Sequence, residues 1–323
     1  MSKIVSLVAV IGVVAVAALS AAAQQYPTRP VRFIAPFPPG GGVDVVARTV
    51  GEKLGPRLGQ TIVVDNRPGA GATLGTSLAA KATPDGYTLL VAPVIGLAIA
   101  HGYYRKLDYD LRRDFAPVTK IGFGTVVMVV PPRLGVNSVK ELIALAKAKP
   151  GQLSYASSGI GGLIHLTGEL FKQTAGVDIL HVPYKGTTQL LPDLIDGRVS
   201  FAIDSLPAHI PHIQAGRLKP LGVARKNRSP QLPDVPTMSE AGLPGFESYT
   251  DYALYAPAGT PRATIAILNR ETGAVLLLPD LRAKLAGIGI EVAGSTPEAL
   301  GAEVASEIAK WTKVIKDANI KQE

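Results

Sequence analysis

The chain has 323 residues, 47% of them hydrophobic and 18% charged, which excludes an intrinsically disordered polypeptide and provides core enough for two ordinary domains. It has no cysteine, which excludes disulfides, thiolate metal centres and a cysteine nucleophile. The net charge of +8 is spread thinly. Its densest basic group, Arg217, Lys219, Arg225, Lys226 and Arg228, has no interleaved aromatics on which bases could stack, so nucleic acid is not an expected partner.

Lys3, the apolar run 4–19 and the small residues Ser20-Ala21-Ala22-Ala23 follow the order of a secretory leader, and cleavage is expected after Ala23. The run is shorter than the roughly 20 apolar residues a membrane span needs. The expectation is a signal peptide over residues 1–23 and an exported mature protein, with loss of Lys3 lowering the charge to +7.

In chain order, residues 31–37 read as a strand, Pro38-Pro39-Gly40-Gly41-Gly42 as a turn, and Val43, Val46, Ala47, Val50 and Leu54 as the apolar face of a helix. Strand 61–64, glycine turn 66–71, helix 74–80 and strand 87–92 follow. The rhythm resumes with strand 125–130, helix 138–148, strand 153–156, a second glycine turn and helix 163–174. Ser138 and Glu141 have capping-box spacing. Strand 179–182, helix 188–195, strands 199–203 and 220–224 and strand 248–256 come next, and the tail is helical, its last helix opened by Thr296 and Pro297. Such alternation predicts an α/β fold, each lobe a mixed or mostly parallel sheet flanked by helices. Residues 114–123 and 230–246 break the pattern and read as irregular crossings. Two lobes are therefore expected, residues 24–122 with 247–323 and residues 123–246, facing each other across a cleft.

A glycine-rich turn between strand and helix occurs in both halves, at 37–44 and at 156–162. Glycine lets backbone approach a ligand, and the first amides of the following helix favour an anion; either turn alone is also an ordinary structural βα turn. Neither completes a nucleotide fingerprint. Ser157 and Ser158 lack the frame of a hydrolase elbow, although His165 and Asp204 are available as partners, and an exported α/β hydrolase using either serine with His165 is the alternative reading. No cofactor is expected, and no metal: His209 and His212 read as surface histidines. His165 and Glu169 sit one turn apart, a spacing read as a helix-stabilising hydrogen bond. Asp204 ends a strand, where it could receive a ligand amine, order a water or cap the next helix.

The strings Pro36-Phe37-Pro38-Pro39-Gly40-Gly41-Gly42-Val43-Asp44, Asp65-Asn66-Arg67-Pro68-Gly69-Ala70-Gly71, Pro84-Asp85-Gly86-Tyr87-Thr88, Asp114-Phe115-Ala116-Pro117-Val118, Ser157-Ser158-Gly159 through His165-Leu166, Val182-Pro183-Tyr184-Lys185-Gly186 and Ala256-Pro257-Ala258-Gly259-Thr260-Pro261 together resemble the substrate-binding proteins of tripartite tricarboxylate transporters, the Bug receptors. The resemblance spans the mature chain. It implies a two-lobed periplasmic-binding-protein (Venus flytrap) fold and a monomeric, non-catalytic receptor that delivers a small di- or tricarboxylate or aromatic acid to membrane subunits. It also implies that Phe37, Pro38, Gly41, Gly42, Ser157, Ser158, Gly159 and Gly161 cradle a carboxylate, with Pro93 on the wall and Lys185, Gly186 and Asp204 near the ligand's other end. The chain departs from the family pattern at Pro38-Pro39, Ala92-Pro93-Val94, Gly162 and Asp251-Tyr252, changes that suit a longer aliphatic or aromatic acid.

Overall fold

The computed structural model describes residues 26–320; the expected leader lies outside them. Among the described residues no helix is long and apolar enough to cross a membrane.

The first sheet begins with β1 (Val31–Ala35), flanked in parallel by β2 (Ile62–Asn66) and β3 (Thr88–Ala92). β9 (Tyr249–Pro257) then pairs antiparallel with β3 and with the long β4 (Phe115–Val130), whose first half also carries the short β10 (Ile290–Val292). The second half of β4 pairs antiparallel with β7 (Phe201–Ser205) and β8 (Lys219–Val223), and β5 (Ser154–Ser157) joins β7 and β6 (Leu180–Pro183) in parallel. Both sheets are mixed, one of the two forms expected from the sequence.

The segment expected to be an irregular crossing at 114–123 is instead the start of β4, a strand of 16 residues. Pro117, Gly122 and Gly124 hide it in the sequence. The register with β9 shifts around Pro117 and before Gly122, so the proline costs little pairing, and a Cβ on Gly122 would lie 2.5 Å from the Glu291 carbonyl oxygen of β10. β4 changes sheets between Thr125, opposite Tyr249 of β9, and Val126, opposite Ser205 of β7.

Both faces of each sheet are buried, which is why the strands read as continuous apolar runs. Val31, Phe33, Ala35, Leu89 and Val91 face helix α1 (Gly42–Leu58), α8 (Arg262–Leu276) and α9 (Pro279–Ala286); Ile34, Leu90 and Ala92 face α3 (Val94–Tyr103) and α10 (Pro297–Asp317). The short α2 (Thr73–Ala80) lies beside β1 and β3. In the second sheet Val126, Met128 and Val130 pack with α4 (Val139–Ala148) and α5 (Leu163–Ala175), while Val127 and Val129 pack with α6 (Thr187–Ile195) and α7 (Leu206–Gln214). The α4 start is capped as its spacing predicts: Ser138 Oγ accepts from Glu141 N at 3.2 Å, and Glu141 Oε2 accepts from Asn137 N, one residue before the cap, at 2.7 Å. Thr296 caps α10 likewise.

Candidate ligand-binding site

A cavity of about 580 Å³ opens where the two sheets meet. Its wall is built by the loop ahead of α1 (Phe37, Pro38, Gly41, Gly42), by Gly71 and Ala72, by α3 from Pro93 to Tyr104, by the loop ahead of α5 (Ile160 to Leu163) and by Thr250, Asp251 and Tyr252 of β9. A larger hollow of about 680 Å³ lies against the edge strand β2 and is lined by the C-terminal half of α1 up to its C-cap Gly59, the end of a helix that does not favour an anion. The first is therefore the candidate site.

The α1 loop is held from behind. Gly40 N donates to Asp44 Oδ2 at 2.9 Å, Arg48 Nε donates to Asp44 Oδ1 at 2.9 Å, and Arg48 also reaches Asn66, whose amide donates to the Phe37 carbonyl at 3.1 Å. Burial favours the protonated Asp44, but these hydrogen bonds and the Arg48 charge outweigh it and hold its carboxyl below the usual range. Gly41, the N-cap residue of α1, has no side chain to satisfy the first amides, and Gly41, Gly42 and Val43 line the cavity.

The α5 loop is fixed differently. Gly161 N donates to His165 Nδ1 at 3.0 Å, so the ring's other nitrogen carries the proton, and the His165 ring stacks on His181 at 4.0 Å and His181 on Tyr155 at 4.9 Å. Burial keeps both imidazoles neutral, and with the neighbouring His165 it pushes His181 down to about 4. Gly162, the α5 N-cap, again brings no capping side chain. The backbone of the loop needs glycine, with φ of 148° at Gly159 and 75° at Gly161.

Three tyrosines stand over three glycines around the cavity. A Cβ would fall 2.5 Å from Tyr252 Oη at Gly42, 2.6 Å from Tyr104 Oη at Gly71 and 2.9 Å from Tyr103 Cζ at Gly161. The last of these brings a loop of the second sheet onto a helix of the first. At the third helix start, Asp251 Oδ2 and Oδ1 accept from Val94 N and Ile95 N at 3.0 and 3.2 Å. Pro93, the α3 N-cap residue, cannot perform this function itself. Asp251 is fully buried, and that burial pushes its carboxyl up to about 7.

A sequence profile described as "Tripartite tricarboxylate transporter family receptor" matches residues 46–320. The chain belongs to that family. Its relatives include protein BugT of Bordetella pertussis, 38% identical over 322 residues, 99% of either chain. Among solved structures it is similar to R. palustris Rpa4515 with adipate (39% identity, TM-score 0.75, 92% of this chain and 100% of that one). It is also similar to the periplasmic binding protein BugD (34% identity, TM-score 0.73, 92% and 100%). This family member thus has the two-lobed periplasmic-binding-protein fold, with a mixed α/β sheet in each lobe.

Of the residues singled out in the sequence of this receptor-family chain, Phe37, Pro38, Gly41, Gly42, Pro93 and Gly161 line the cavity. Gly161 contributes no amide to a ligand, because His165 takes it. The structure places the other six elsewhere. Ser157 is buried, donates to the Gly159 carbonyl at 3.0 Å and lies 2.7 Å from His181 Nε2, so the pairing of Ser157 or Ser158 with His165 is not formed. Ser158 and Gly159 are half-buried and do not line the cavity, and Lys185 is exposed, its amide donating to Gln189 Oε1 at 3.3 Å, next to the α6 N-cap Gly186.

Asp204 is buried and accepts from Thr187 Oγ1 at 2.7 Å and from Ser205 N, with His209 Nε2 at 3.2 Å. His209 is therefore a core residue and not a surface histidine. His165 does not bond Glu169 through its ring; Glu169 instead accepts from Tyr155 and Lys172. Sequence reasoning missed α3 and, with it, Tyr103 and Tyr104. An apolar stretch of helical length directly after Pro93 was the available signal.

Proposed function

We propose that this chain is an exported periplasmic receptor that captures a small organic carboxylate between the uncapped starts of α1 and α5 and delivers it, unchanged, to the membrane subunits of a tripartite transporter. One observation carries the reading: two helices, one from each sheet, begin at the same cavity behind glycine N-caps that leave their first amides to a ligand. The adipate held by the similar R. palustris protein supports a carboxylate as the ligand class. Residues 24–122 with 247–323 form one lobe and residues 123–246 the other. The depressed basicity of the stacked histidines keeps the α5 loop neutral, so the helix amides supply the positive field.

The test is a thermal-shift and calorimetric screen of residues 24–323 against mono-, di- and tricarboxylates and aromatic acids. A stoichiometric, concentration-dependent rise in Tm with a carboxylate is expected. A folded, ligand-free protein that answers to none of them would refute the reading.

A further inference from the structure

Three helices start at the cavity, but only two offer their first turn to a ligand. The third, α3, has its Val94 and Ile95 amides engaged by Asp251. Asp251 is 1% exposed and both its oxygens are committed to those amides, so it acts on a ligand through its field rather than by contact. Among the described residues, no Lys, Arg or His lines the cavity. The cation whose field reaches Asp251, Lys120, is itself bound to Glu303. Past its start, α3 lines the cavity with the apolar side chains of Leu97, Ile99 and Ala100.

We propose that Asp251 makes this cavity selective for acids with a single carboxylate on an apolar body, by setting a like charge where the second carboxylate of a diacid has to settle. The inference rests on the α1 and α5 starts being the carboxylate site. A second ligand carboxylate entering the apolar end loses its hydration, finds no cation and faces Asp251, so the pair must take up a proton or stay apart. An apolar chain or ring in the same place loses nothing and buries its surface. The cavity volume lies within the range of small-molecule sites, enough for a medium-chain or aromatic acid.

The experiment is calorimetry at about pH 8.5, where Asp251 is ionised, on residues 24–323 with two matched pairs, hexanoate against adipate and 4-methylbenzoate against terephthalate. The monoacid of at least one pair is expected to bind about tenfold more tightly than its diacid, and Asp251→Asn to narrow that ratio by about tenfold. Diacids that bind the wild-type protein as tightly as the monoacids overturn the inference and leave the receptor reading standing. A ratio unmoved by Asp251→Asn in a folded variant overturns it as well; should that variant not fold, the wild-type ratios decide alone. Tighter binding of 6-aminohexanoate than of hexanoate overturns it in favour of an amine-accepting Asp251. No binding by any of these acids removes the carboxylate cradle itself, and the inference with it.

Discussion

Tyr252 meets Gly42 so closely that the first turn of α1 has room for a hydrogen and no more. Gly42 begins a helix, and alanine suits a helix interior better than glycine, so Gly42→Ala keeps the fold while forcing Tyr252 away from the α1 amides. A fall of about tenfold in carboxylate affinity, worth about 1.4 kcal/mol, is expected by calorimetry with an unchanged circular dichroism spectrum. Asp251 makes a second prediction, on stability. Its carboxyl titrates at about 7 in the folded chain against 3.8 for the ordinary group, so between those values the folded state keeps a proton that the unfolded state releases. Raising the pH from about 4 to about 7 therefore costs stability through this residue. His181, lowered from 6.5 to about 4, acts in the opposite direction over most of that window. Asp251→Asn isolates the first effect: urea melts should show the variant gaining on the wild type as pH rises through the window, and a constant difference would refute it. The glycines of both loops were legible in the sequence because backbone demands leave a local mark. Asp251 was visible only as a departure from pattern, since its partners Val94 and Ile95 lie 157 and 156 positions away.

Elements with strong local punctuation came out of the sequence nearly as they are. Helix α4 begins where Ser138 and Glu141 said it would, and Ser138→Ala should cost about 1 kcal/mol in chemical denaturation, because it strips the acceptor from the Glu141 amide. No measurable loss would mean that water replaces the cap. Strand β4 was hidden for the converse reason: its Pro117 and two glycines are explained only by the register shifts and the close passage of β10, which no local pattern reports. Helix α3 was hidden because it is apolar all round, buried between the first sheet and α10, so it has no polar face to set a period.

At the scale of the molecule the two sheets are hard to separate. They share β4; α5 of the second packs on α3 and α10 of the first; and Leu166 sits in the same core as Trp311. Thr167 Oγ1 bonds Ser248 Oγ at 2.5 Å, and Arg225, buried over the Phe123 ring, binds both Thr125 and Glu291 of β10. One cooperative unit is expected: calorimetry of the ligand-free protein should give a single transition with equal calorimetric and van't Hoff enthalpies, and two resolved transitions would refute it.

The chain holds ten tyrosines and a single tryptophan. Trp311 is wholly buried, its indole N–H donates to Glu307 Oε2 at 2.7 Å, and it belongs to the same core cluster as Tyr103, while Tyr103, Tyr104 and Tyr252 wall the cavity. Light absorbed by those phenols reaches one indole in a fixed, dry setting. If the proposed ligand is an aromatic acid whose absorption overlaps tyrosine emission, its binding should divert that transfer and dim the tryptophan, whereas an aliphatic acid should leave it bright, so the protein's own fluorescence would tell the two kinds of ligand apart without a label.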